Sequence, residues 1–206
     1  MAARTATIPR KKPAQTRSKA TVEAILEAAA RVLVEEGFDR TTTNRVAEVA
    51  GVSIGSLYQY FPNKEALLST LAERHMSAML GQLADMANEL LDAPLEDAVR
   101  AYVRAMLAVH AVDPALHRVL TENVPRVAGL DRWREMQSQA EAIVRQYLER
   151  HRERLRPSDL DLAAFVLVTS VESVTHAAVL DRPEALREPA FANEVCELVL
   201  RYLVRS

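Results

Sequence analysis

The sequence predicts an all-α protein, and three observations predict it. Ala, Leu, Glu and Arg dominate while only 5 of 206 residues are Gly, which favours helix. Apolar residues recur at helical spacing along most of the chain, and alternating β-branched runs are scarce. Hydrophobic residues are 49% and charged residues 26%, a globular balance in a chain long enough to bury a core.

Residues 1–17 hold Pro9, Pro13 and a basic cluster without periodicity, a flexible arm. Helix one starts near Thr16 or Ser18. Its stripe is Val22, Ile25, Leu26, Ala29, Val32 and Leu33, and Gly37 is its C-cap. Thr41, Thr42 and Thr43 offer hydroxyl caps for a short helix, about Thr43 to Ala50, with Val46 and Ala47 inward. Gly51 stops it and Val52 plugs the turn. Ser53 caps a third helix, Ile54 to Tyr60, in which Leu57 and Phe61 point inward. A fourth, about Lys64 to Leu91, carries Leu67, Leu68, Leu71, His75, Met79, Leu83, Met86 and Leu90 on one stripe. A fifth runs about Leu95 to Val112. A sixth runs about Pro114 to Asn123, with Val124 to Gly129 as a loop. A seventh covers about Leu130 to Arg154, and an eighth Ser158 to Leu180. A linker or short helical turn follows, then a ninth helix, Pro189 to Val204.

Net charge is −2, but it is unevenly spread. Residues 1–62 hold nine basic and six acidic residues, a net of +3, and the remainder is −5. This fits a basic binding module on an acidic body. Cys196 is the only cysteine, so no internal disulfide forms, Cys196 is expected in a core or interface, and a cytoplasmic setting is expected. No apolar segment follows the early basic residues, so no secretory signal is expected. No transmembrane span is expected either, because Leu160 to Leu180 is interrupted by polar residues.

Two short helices joined by a Gly-containing turn form a helix-turn-helix pattern, here about residues 42–61. Left outside on its second helix are Ser53, Ile54, Gly55, Ser56, Tyr58, Gln59 and Tyr60, none charged. Small residues let the helix start approach a groove floor. Hydroxyls and an amide can bond base edges or phosphates. Tyr58, Tyr60 and Lys64 suit phosphate contact. The helix starts at Thr42, Thr43 and Ser53 aim N–H groups at phosphates. Arg45 and the arm supply salt-dependent attraction. A plain core hairpin would not explain Tyr58 and Tyr60 standing outside while Leu57 and Phe61 go in.

The residues Gly37-Phe38, Thr41-Thr42, Ala47, Ala50-Gly51-Val52-Ser53, Gly55, Leu57-Tyr58, Tyr60-Phe61 and Lys64-Glu65 fall at a spacing that resembles the DNA-binding domain of the TetR (tetracycline-repressor-like, TetR/AcrR) family of bacterial transcriptional regulators. The resemblance covers residues 18–79. Thr43 departs from it, since an aliphatic residue is usual there. The resemblance implies a nine-helix homodimer, with three helices on DNA and six forming a ligand-binding and dimerisation domain, residues 80–206. It implies Thr42, Thr43, Asn44 and Arg45 at the DNA-facing start of helix two, Ser53 to Tyr60 along the recognition helix, and Lys64 on a phosphate.

The eighth helix is apolar most of the way round and must be covered on more than one face. Packing the eighth and ninth helices against a two-fold mate does this. Phe165, Val168, Glu172, His176, Val195, Leu198, Val199 and Tyr202 are the expected interface. Met76, Met79, Met106, His110, Trp133, Met136, Phe165 and Thr169 are the expected pocket, soft walls suited to an apolar effector; each also fits as plain core. His110 and His117 lack a Cys or carboxylate at ligand spacing, so neither metal nor cofactor is expected. No catalytic motif is found, so no enzyme is expected. The expected function is therefore a repressor that binds a palindromic double-stranded DNA operator as a dimer and is released by a small ligand, without membrane contact. The alternative is a sensor or activator of the same fold.

Overall fold

The computed structural model describes residues 16–90, 92–127 and 130–205. The arm, residues 1–15, and the side chains of Trp133 and Met136 lie outside the described residues. Nine α-helices are present among them: α1 Thr16–Glu36, α2 Thr43–Ala50, α3 Ile54–Tyr60, α4 Lys64–Glu89, α5 Leu95–His110, α6 Pro114–Val127, α7 Leu130–Arg150, α8 Leu160–Asp181 and α9 Pro189–Leu203. The chain divides into two compact units, Met1–Ser77 with Ala115–Leu130, and Ala78–Pro114 with Asp131–Ser206.

In the first unit, local chemistry sets each boundary. Gly37, at φ 80, ends α1 in the left-handed region. Thr41 is fully buried and its hydroxyl donates to the Gly37 carbonyl at 2.8 Å. Asn63 caps α4 by accepting from the Ala66 N–H at 2.8 Å. The core gathers Ile25, Leu33, Val46, Leu57, Phe61, Leu67 and Leu71, with Leu116 and Leu120 of α6 completing it. His75 of α4 and His117 of α6 share a 3.0 Å hydrogen bond between their rings.

The second unit is built on α5, α8 and α9. Leu95, Val99, Val103, Leu107, Leu167, Val195, Val199 and Leu203 meet in its core, with Leu148 of α7 and Leu155. Asp159 caps α8 by accepting from the Leu162 N–H at 3.0 Å. An isolated antiparallel bridge joins Leu155 to Val204. Tyr147 donates to the Ala93 carbonyl at 2.9 Å, which ties α7 to the start of α5.

Two elements differ most from the sequence expectation. The expected loop after Asn123 is helical to Val127. Pro125 lacks a main-chain donor and crowds the carbonyl four residues back, yet the helix runs on through it for two more residues. Helix α7 ends at Arg150, and Arg152–Arg154 form a 3₁₀ turn instead of a projecting helix end. Of the linker or short helical turn expected before α9, the structure has the turn, a second 3₁₀ segment, Pro183–Arg187. Polar interruptions do not keep α8 from being long and apolar enough to cross a membrane by length and composition, yet 44% of its most apolar window is buried inside the protein. It is a core helix with one face left over.

Candidate nucleic-acid interface and ligand cavity

The turn between α2 and α3 is closed by the main chain. Thr42 caps α2, its hydroxyl oxygen accepting from the Arg45 N–H at 3.1 Å. Gly51 ends α2 at φ 67 and ψ 28, its N–H donating to the Glu48 carbonyl. The Val52 N–H reaches the Ala47 carbonyl at 3.0 Å, an arrangement that needs the left-handed residue. Ser53 caps α3, its oxygen accepting from the Ser56 N–H at 3.1 Å, and the two hydroxyls meet at 2.8 Å. Leu57, fully buried, holds α3 down.

What α3 leaves outside is Ile54, Gly55, Tyr58 and Gln59, with Ser53 before them. Asn44 and Thr42 are exposed at the start of α2, and Thr43 is half-buried. Thr43 and Tyr58 share a 3.1 Å hydrogen bond across the two helices, so a position that departs from the usual aliphatic type orients the tyrosine. Asn44 and Gln59 make no hydrogen bond among the described residues.

Three residues assigned to this face are engaged inside the unit. Tyr60 does not stand outside: it is 9% exposed and packs in the core. Its hydroxyl meets Ser18 at 2.9 Å, 42 positions earlier in the chain, so it fastens α3 to α1. Lys64 donates to the Phe38 carbonyl at 2.9 Å and lies over the Phe38 ring at 4.2 Å. Arg45 is bridged to Glu36 at 2.7 Å and to Glu48 at 3.0 Å. Glu36 first, then Glu48, raise its pKa above the ordinary value. Its charge is locally compensated, which weakens the case for a phosphate contact from this residue.

In the second unit a cavity of about 190 Å³ opens between α4, α5 and α7. Leu80 and Leu83, Val99 and Tyr102, and Gln139, Ile143 and Tyr147 line it, with Leu167 and Leu203 at its floor. Gln139 and Ile143 are exposed and mark its mouth on α7. The residues named from sequence for a pocket lie elsewhere. Met76 belongs to the first unit. Met79, Met106 and His110 are buried and do not line this cavity. His110 donates from Nδ1 to the Met106 carbonyl at 2.7 Å, with the His176 ring edge-on at 5.2 Å. Thr169 accepts from Gln137 at 3.4 Å, and Phe165 is 47% exposed. Helical periodicity identified a buried face here, but a void arises where facing side chains fail to meet, and periodicity carries no signal for that.

The residues named for an interface fall into two groups. Val168, Val195 and Val199 are turned into the unit's own interior. Phe165 and Leu198 are on the surface, at 47% and 55% exposure, and Leu162, outside the expected set, joins them at 56%. Tyr202 is half-buried with Arg156 over its ring. Burial raises the Glu172 carboxyl pKa, with Glu141 adding to it, and burial lowers that of His176.

Residues 25–71 match the family model for bacterial regulatory proteins of the tetR family, and residues 94–203 match the model for the tetracyclin repressor-like C-terminal domain. The nucleoid occlusion factor SlmA of Actinobacillus pleuropneumoniae is 32% identical over 87 residues, 42% of either chain. The chain thus spans about two fifths of the length of the curated relatives it matches. A putative tetR-family transcriptional regulator from Mesorhizobium loti superposes with TM-score 0.72 at 23% identity, over 93% of this chain and all of the other. SmeT, the repressor of a Stenotrophomonas maltophilia multidrug efflux pump, solved as a triclosan complex, gives 0.66 at 24% identity over 91% and 93%. These solved structures share the fold.

Proposed function

We infer how this chain works from what it is: it belongs to the tetR family of bacterial regulatory proteins, DNA-binding transcriptional regulators, and we propose that it is a repressor. As a homodimer it binds a palindromic operator, and an uncharged small molecule in the second unit releases it. It acts on the chromosome, in the cytoplasm. The observation that carries the reading is the outer face of α3. Ile54, Gly55, Tyr58 and Gln59 are exposed and uncharged on a helix anchored by Leu57, the form a helix needs to enter a major groove.

Two further features support it. Leu162 and Phe165 of α8 and Leu198 of α9 are large apolar side chains at the surface of one unit, and a two-fold mate would cover them. Two-fold symmetry matches half-sites about one turn, roughly 34 Å, apart. Helix α4 belongs to both units, with the division falling between Ser77 and Ala78. A ligand that favours one setting of α4 would shift the population away from the operator-bound form.

The test is a gel shift on the DNA upstream of the gene itself. Affinity is expected to fall by roughly a thousandfold or more between about 50 and 200 mM salt if some six phosphates are contacted. A Tyr58→Ala, Gln59→Ala double variant is expected to lose operator preference while keeping its binding to unrelated DNA. A flat salt response, or full operator preference in the double variant, would overturn the reading.

A further inference from the structure

The second unit's cavity carries a chemical signature of its own. Among its described lining residues none is charged. Three are polar. Tyr147 has its hydroxyl committed to the Ala93 carbonyl at 2.9 Å. Gln139 is exposed at the mouth, where water competes for its amide. Tyr102 lies on α5, packed against the unit's core, and its hydroxyl has no hydrogen bond among the described residues. Desolvation, with the Glu172 carboxylate adding to it, pushes the Tyr102 pKa up from its ordinary value. The phenol therefore stays protonated and offers a donor.

Volume sets the size class. An apolar hole of roughly 150 Å³ takes up benzene, while drug-sized ligands need roughly 300 to 1,000 Å³. At about 190 Å³, this cavity suits one ring with a short substituent. Charge sets the other limit. A carboxylate ligand would lose its water and meet no cation among the described lining residues. A cation would likewise be buried without a lining counter-charge, because Glu172 is not part of the wall.

We propose that the effector is a compact, uncharged ring compound bearing one hydrogen-bond acceptor, held by the walls from α4, α5 and α7 and oriented by a hydrogen bond from the Tyr102 hydroxyl. This rests on the ligand-released repressor above and narrows its ligand to a class.

Calorimetric titration of the full chain with four probes tests it: ethylbenzene, acetophenone, benzoate and 2-phenylethylammonium. Acetophenone is expected to bind about five- to tenfold tighter than ethylbenzene, the worth of one buried hydrogen bond. In Tyr102→Phe that gap is expected to vanish while ethylbenzene binding persists, which also shows that the variant is folded. Ala140→Leu, which fills the lining, is expected to weaken both. Benzoate and 2-phenylethylammonium are expected to show no heat at about 100-fold higher concentration. The proposal is overturned if either ion binds as well as acetophenone, if the gap survives in Tyr102→Phe, or if no probe binds. A gel shift run beside it separates the two ideas. Acetophenone that binds through Tyr102 yet leaves the operator occupied supports the ligand class and refutes ligand release. Benzoate that binds and frees the operator does the reverse.

Discussion

Replacing Gly51 by Ala isolates the cost of one backbone angle. Gly51 sits at φ 67, and a Cβ built on it would meet nothing within 4 Å. No clash is available to add to the cost, and both turn hydrogen bonds are made by main-chain atoms that the substitution leaves in place. The left-handed region costs an L-residue about 1–2 kcal/mol. Ala also stiffens the unfolded chain, which returns about 0.4–1 kcal/mol. The expected net loss is about 1 kcal/mol. Asn tolerates this region better, so Gly51→Asn is expected to lose less than Gly51→Ala. The assay is urea unfolding followed by far-UV circular dichroism at fixed protein concentration, with an unchanged dependence on urea. A loss above about 3 kcal/mol would mean that the side chain meets a neighbour and the turn is not open. Equal losses for Ala and Asn would mean that the angle is not what Gly51 supplies.

Glu172 is held protonated more readily in the folded chain than in the unfolded one, through burial and then Glu141. Folded protein then binds more protons above the ordinary carboxylate pKa, so this group's contribution to stability falls as pH rises from there. Glu172→Gln is expected to raise Tm at pH 7 and to lose that advantage near pH 4; thermal melts across that range check it, and a variant less stable than the parent at pH 7 refutes it. For the exposed apolar face, Phe165→Glu with Leu198→Glu is expected to leave the monomer folded and shift sedimentation to half the mass of the parent species. An unchanged sedimentation coefficient would place the dimer interface elsewhere.

The sequence was most legible where chemistry is local. Thr42, Gly51, Ser53 and Asn63 act on atoms within a few residues of themselves, so their roles could be read from neighbours in the chain. Legibility failed where the partner is distant. Tyr60 looked like an outward residue because its neighbours on α3 are, yet Ser18 and the core claim it. Lys64 is answered by Phe38, 26 positions away. Arg45 is expected to supply attraction to phosphates, while Glu36, nine positions earlier, and the nearer Glu48 bridge it. The cavity was the least legible feature. Val99 and Tyr102 stand three apart on α5, a helical spacing, but only the packing of α7 decides that this face borders a space.

Helix α3 is only seven residues long, well below the length at which a helix survives alone in water. Its existence is guaranteed from behind, by Leu57 and Tyr60, and not by the residues it displays. The two jobs are therefore separable by position. If α3 reads DNA as proposed, Ile54, Gly55, Tyr58 and Gln59 form an interchangeable cassette: a new set of side chains grafted there would redirect the protein to another target sequence, while the buried Leu57 and Tyr60 beneath stay untouched. Such modularity makes a regulator easy to retarget in the laboratory and gives it room to diverge.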